Sequence, residues 1–452
     1  MDDLLLIFLV IIIGIFLAVI VLFKPYLGIG FTISSLAIID LLPEIPFFSS
    51  VVPLIGAVTI IGFLFKPRRK YLKLEKIHLV SLLFVVWIFI SNPEAAWFGS
   101  SRNWLFTFLQ LWVLLFLAGD LLDTPKKQKV VILLFSVVSI ASAFYAIFSG
   151  GIGEDFSSSI RARGFTDNAN AAARFFVVAM VFITYFRSAI KQPFLRFLSL
   201  IGILITYLGV FFTVSRTGII LLFSAQILIF IMQTKGKQKF RLLTIYVVLY
   251  LILWLLSDSI FDIIGTIIPT IVAGEDTFGL RLNLWRSGWV MWTNHPIRGV
   301  GIGMFINSVG PIIQRFEGPH VWNAVAHNTY VQVLSETGII GFILFISMII
   351  ITLKNYWTAD LSHDTELSSL RNTWLIVFIV MLIGGLTKSD HADKLSWMVM
   401  GISVFFANVK LFSTQKQNIP KSQALNRTTS FTSKKQLKPH PISANEEEKI
   451  KA

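Results

Sequence analysis

The chain has 452 residues, 55% of them hydrophobic and 14% charged, with a mean hydropathy of +0.74. That much apolar sequence exceeds what a soluble core can hide, so the formal charge of +14 is not read as a nucleic-acid signal. Cysteine is absent, which excludes disulfides, thiol chemistry and thiolate metal sites.

A helix crossing a bilayer needs roughly 17 to 25 apolar residues. In chain order the candidates are 4–23, 27–42, 46–65, 78–92, 104–120, 130–149, 171–186, 197–213, 217–234, 242–257, 334–353, 374–388 and 395–412. They predict an all-α polytopic membrane protein of about 12 transmembrane helices, within the range 11–13. The run 4–23 lacks a basic flank and a small-residue cleavage site, and reads as a retained span. Basic clusters at 66–70, 125–129, 187–196 and 235–241 mark cytoplasmic ends. Alternation from those anchors places 91–103, 150–170, 214–217, 258–333 and 388–394 on the outer side. The whole of 1–412 reads as one membrane domain. The remainder, 413–452, holds eight Lys or Arg against three Glu and reads as a disordered cytoplasmic tail near anionic headgroups.

Only one predicted connection is long, the outer segment 258–333, and such length argues for function. Within it Trp285, Trp289 and Trp292 repeat at the spacing of one helix face. A helix lying at the membrane interface explains them better than sugar stacking does. From Arg102 to Arg315 every strongly basic residue on the predicted outer side is arginine, whereas the predicted cytoplasmic loops between 66 and 371 carry twelve lysines and six arginines. Topology needs only positive charge inside. Arginine's planar fork is suited to bidentate binding of phosphate or carboxylate oxygens, so the outer set points to an anionic, phosphorylated ligand.

The most specific string runs from His320 through His327-Asn328-Thr329-Tyr330 to Glu336-Thr337-Gly338 and Gly341. Asn328 or Thr329 is expected to cap a helix entering the membrane, with Val331, Leu334, Gly338 and Gly341 along one packing stripe. His327, just before that start, has the pKa range of a proton acceptor; a histidine bonded to loop backbone is the plainer reading. Glu336 is costly at membrane depth unless paired, and Arg281 or Arg286 are its expected partners. Arg216, among Ser and Thr at the outer end of a span, is the first choice for a diphosphate ligand, against a snorkelling arginine. Arg163 or Arg161 comes next, then Arg286 and Arg281. Arg298 reads as a brace for the turn Gly299–Gly303, whose glycines lack the strand-and-helix setting of a nucleotide fingerprint. Lys388, Asp390, His391, Asp393 and Lys394 form a compact outer turn that could touch glycan, with a solvated turn as the preferred reading.

Together these strings resemble the O-antigen ligase/polymerase superfamily. The resemblance rests on His327-Asn328-Thr329-Tyr330 with Glu336-Thr337-Gly338 and Gly341, on Arg298-Gly299-Val300-Gly301-Ile302-Gly303, and on Ser215-Arg216-Thr217-Gly218. It extends to Arg161-Ala162-Arg163-Gly164-Phe165 with Asn168 and Asn170, and to Arg281 followed by Trp285-Arg286. It implies a metal-independent, cofactor-free, inverting glycosyltransferase, multi-pass in a bacterial inner membrane, with the active site on the periplasmic face and the C-terminus in the cytoplasm. The implied donor is a glycan on a polyprenyl diphosphate; the implied acceptor is a hydroxyl of a lipid, a glycan or a protein. His327 and Arg216 are then the expected catalytic residues, and Arg163, Arg161, Arg281, Arg286, Asn328 and Glu336 the expected contacts to diphosphate or glycan. A repeat-unit polymerase is the near alternative. A transporter is a distant one, since most ionisable residues cluster at outer span ends rather than mid-span.

Overall fold

The computed structural model describes residues 14–41, 52–65, 74–91, 99–149, 162–166, 168–233, 277–317, 324–359, 361 and 364–417. The described elements are helical. In order they are α1 (Gly14–Phe23), α2 (Tyr26–Ser34, continued as a 3-10 turn Ser35–Leu41), α3 (Val52–Phe65), α4 (Lys76–Ser91), α5 (Gly99–Leu121), α6 (Pro125–Ser149), α7 (Ala169–Ala189) and α8 (Pro193–Phe212). Then come α9 (Arg216–Met232), α10 (Thr277–Asn294), α11 (Phe305–Ser308), α12 (Gly310–Glu317), α13 (Thr329–Trp357), α14 (Thr365–Gly384) and α15 (Lys394–Gln417). The expected span 242–257, most of the expected tail, and the side chains of Arg102, Arg161, His320 and Trp322 lie outside the described residues.

Six helices, α5 to α8 with α13 and α14, are long and apolar enough to cross a membrane. Shorter apolar helices fall on the other described candidate spans. Large apolar side chains such as Leu83, Phe148, Phe194, Ile343 and Ile350 are exposed on these helices, which water would penalise and hydrocarbon would not. In α7, 83% of the apolar window is buried, against 28% in α8, so α7 is the inner helix and α8 a peripheral one. Small residues permit this: a side chain at Gly218 of α9 would crowd Ala173 of α7, and one at Gly209 of α8 would crowd Phe176.

Polar side chains cluster at the two ends of the bundle. At one end Trp374 Nε1 donates to Gln128 Oε1 (3.0 Å), Lys129 pairs with Glu366, and Asn372 Nδ2 donates to the Met232 carbonyl (2.8 Å). These residues stand at or beside the predicted cytoplasmic loops. The described parts of the predicted outer loops meet at the opposite end and build the site described below.

The glycines of the 299–303 string and of α13 form one structural device. Gly338 has φ 66 and ψ −170, a conformation essentially limited to glycine, and it breaks α13 one-third of the way along. A break inside a membrane helix frees backbone carbonyls that must find donors. Here Val300 N–H bonds the Ser335 carbonyl (2.9 Å), Gly301 N–H the Glu336 carbonyl (2.9 Å) and Trp87 Nε1 the Thr337 carbonyl (2.8 Å). On the far side Ile339 N–H reaches Pro296 O (2.9 Å). Gly338 is thus not part of the expected helix-packing stripe; it is where the outer segment plugs into the membrane helix. Nor is Arg298 needed as the brace, for backbone hydrogen bonds hold the turn and Arg298 is exposed.

A Cβ at Gly338 would overlap the Ile297 carbonyl. Gly338→Ala is therefore expected to destabilise the protein by about 1–3 kcal/mol from backbone strain alone, and more from the overlap. Gly56→Ala, with nothing within 4 Å of the new methyl, is expected to be neutral or slightly stabilising. Thermal melting in detergent distinguishes them, and equal melting temperatures would contradict this account.

Candidate functional site

Three of the expected motifs reach the same end of the bundle because each starts a helix with a side-chain cap. Asn168 caps α7 by accepting from Asn170 N–H (2.8 Å) and Ala171 N–H (3.4 Å). Ser215 caps α9 by accepting from Gly218 N–H (3.0 Å). Asn328 caps α13 by accepting from Tyr330 N–H (2.9 Å) and Val331 N–H (3.2 Å). Each cap satisfies orphan N–H groups of its first turn and sets the residue beside it at the bundle rim.

The first two motifs are tied directly, since Ser215 Oγ–H donates to Asn170 Oδ1 (2.7 Å). Ahead of Asn168, Gly164 turns with φ 60, Phe165 N–H bonds Ser142 Oγ (3.1 Å), and the Phe165 ring stacks on Tyr145 at 4.3 Å. Ala162 N–H bonds the Phe212 carbonyl at the end of α8 (3.2 Å). The turn therefore fixes its backbone and leaves the Arg163 side chain exposed at the end where Arg216 also projects.

α10, α11 and α12 fold the outer segment around a small apolar core of Leu284, Met291, Phe305, Val309, Ile313 and Ala326. Gly288 lets α10 lie close against Val331 of α13. Arg281, two turns earlier on the same face of α10, is half-buried. Burial first, and then the charge of Arg216, hold its pKa below the usual guanidinium value. His327 is half-buried too; burial, then Arg281, then Lys388, hold its pKa below the ordinary imidazole value. Arg216, Arg281, His327 and Lys388 thus stand within electrostatic reach in one chain of neighbours. Arg286 points elsewhere on α10: it is exposed and donates to Asn283 Oδ1 (3.1 Å).

Two expectations are corrected here. Glu336 does not pair with Arg281 or Arg286 among the described residues. It is fully buried, and its Oε1 accepts from Phe305 N–H (3.2 Å) and Gln332 Nε2 (3.0 Å). The reason is that the glycine string folds back onto the break in α13 and offers the carboxylate main-chain donors. Its Oε2 lies 3.7 Å from His391 Nε2. Burial pushes the His391 pKa down to about 4, so this contact is not an ion pair at neutral pH. Nor is the turn bearing His391 a solvated one. His391 is buried, stacked on Trp104 (5.5 Å) and Phe108 (5.7 Å), and Asp390 and Asp393 (3.5 Å) both pair with the buried Arg174 of α7. Asp390 also holds Lys388 Nζ at 3.2 Å, and its N–H bonds Thr329 Oγ1 (2.8 Å), which itself donates to the Lys388 carbonyl (2.8 Å). The missed signal was Arg174 itself, a charge one turn inside an apolar helix, which needs an acidic partner somewhere in the chain.

Chemically, this rim gathers positive charge beside an imidazole whose proton affinity is held down by burial and by Arg281 and Lys388. Residues 201–346 match the family model described as O-antigen ligase. The matched stretch contains Arg216, Arg281, Arg286, His327, Asn328 and Glu336, while Arg161 and Arg163 precede it. No curated protein matches the chain.

Proposed function

We propose, on the premise that residues 201–346 make this chain a member of the O-antigen ligase superfamily, that it transfers a glycan from a polyprenyl diphosphate carrier to an acceptor hydroxyl at the outer face of the inner membrane. The bond to be broken joins an anomeric carbon to a diphosphate oxygen, so negative charge grows on the leaving diphosphate. Arg216 and Arg281 are suited to meet that charge as it develops, with Arg163, exposed at the same end, as a further donor. His327 takes the acceptor proton as the new glycosidic bond forms on the opposite face of the sugar. The acceptor oxygen gains the anomeric carbon, the diphosphate leaves with its bonding pair, and the configuration inverts. Asn328 caps the helix that begins just after His327, and Glu336 supports that helix start from below.

The observation that carries this reading is the place of Arg281, which senses Arg216 and is in turn sensed by His327. Holding two guanidinium groups within mutual repulsion costs free energy that a bound diphosphate would offset. Surface polysaccharide and its lipid-linked precursor, analysed in a deletion strain, test the reading. Full-length glycan accumulating on its carrier supports a ligase. Accumulated single repeat units support the same donor chemistry in a polymerase. Unchanged precursor and polysaccharide would overturn the proposal.

A further inference from the structure

His327 has φ 49, and among the described residues only Val214 shares a positive φ without being glycine. An L-residue stays in that region only where its surroundings hold it there. Ala326, the residue before His327, is held by both of its main-chain groups. Trp285 Nε1 of α10 donates to the Ala326 carbonyl (3.0 Å), and Ala326 N–H donates to Gln332 Oε1 of α13 (3.3 Å). A backbone N–H can only donate, so the oxygen of the Gln332 amide must face Ala326. Its NH2 then faces Glu336 Oε1 (3.0 Å), an acceptor that also takes Phe305 N–H (3.2 Å). Gln332, Glu336 and Ala326 are all buried, so each misplaced donor or acceptor there would go unsatisfied.

We infer that Gln332 and Trp285 are positioning residues that aim the His327 imidazole by clamping the main-chain N–H and C=O of Ala326, with Glu336 fixing which way round the Gln332 amide stands. The inference rests on the reading of His327 as the proton acceptor. A base displaced by about 1 Å costs roughly 10²-fold in rate while leaving distant contacts to the carrier intact.

The test uses membranes of a deletion strain that express the full chain and supply their own lipid-linked donor and acceptor. Undecaprenyl diphosphate serves as the competing probe for the anion site. Gln332→Met is expected to lower transfer about 10²-fold and Trp285→Phe about tenfold, with competition by undecaprenyl diphosphate within about twofold of wild type in both. Glu336→Gln keeps an acceptor oxygen for Gln332 and is expected to retain most activity, whereas Glu336→Leu should match Gln332→Met. Wild-type rates in Gln332→Met and Trp285→Phe would overturn the inference, as would a parallel loss of competition by the probe. Should Gln332→Met fail to accumulate, Trp285→Phe decides, because it removes the indole N–H while keeping an aromatic ring against the apolar core. Active His327→Ala would instead refute the proposed role of His327 itself, so the two failures are distinguishable.

Discussion

Arg216→Lys is expected to lower glycan transfer by about 10²-fold or more while the protein accumulates at wild-type level. Lysine keeps the charge, so the variant separates electrostatic neutralisation from geometry. A guanidinium presents parallel N–H donors to two oxygens of a diphosphate and holds them in plane; an ammonium offers a single mobile point. Stability should not suffer, because the start of α9 is set by the Ser215 cap and by the close approach of Gly218 to Ala173, neither of which uses the Arg216 side chain. The rate at which lipid-linked precursor disappears in membranes, normalised to protein, gives the answer. Near-normal transfer in Arg216→Lys would mean that positive charge alone suffices and that the arginine bias of the outer side has another origin.

The features legible in the sequence are those carried by local pattern. Apolar run lengths located the described apolar helices, and Lys129, beside one lysine-rich loop, falls with Glu366 at one end of the bundle. Asn168, Ser215 and Asn328 each precede an apolar run, and each turns out to cap its helix. What was not legible depends on neighbours far apart in the chain. Gly338 looked like a helix-packing glycine because nothing nearby announces that the 299–301 backbone and Trp87 supply donors to the carbonyls its break releases. Glu336 sits about two turns after the start of α13, yet its partners are Phe305 N–H, Gln332 and a His391 more than fifty residues away. The charged turn around Asp390 read as solvated for the same reason. Asp390 and Asp393 are surface-like until Arg174, over two hundred residues earlier, is brought against them. Charge at an unexpected depth was the one local clue to each of these long-range pairs.

His327→Ala is expected to lower transfer by about 10²–10⁴-fold, the range for loss of a positioned proton acceptor, without loss of protein from the membrane. The pH dependence makes the prediction sharper. The useful form of His327 is the neutral imidazole, and burial, Arg281 and Lys388 all hold its pKa below 6.5. Transfer by the wild-type protein should therefore persist as pH falls through 6.5 and fail only below it. Removing one of the repelling charges relaxes the depression. Lys388→Gln should thus move the acid limb of the rate profile to higher pH, because an imidazole freed from a neighbouring ammonium binds its proton more readily. Burial is the largest cause of the depression and stays in place, so the limb should remain below that of an exposed histidine. Asp390, now lacking its lysine, keeps Arg174 as partner, so the turn should hold its shape. An acid limb that shifts downward or stays fixed in Lys388→Gln would show that the rate-limiting titration belongs to another group. The assignment of His327 would then have to rest on the alanine variant alone.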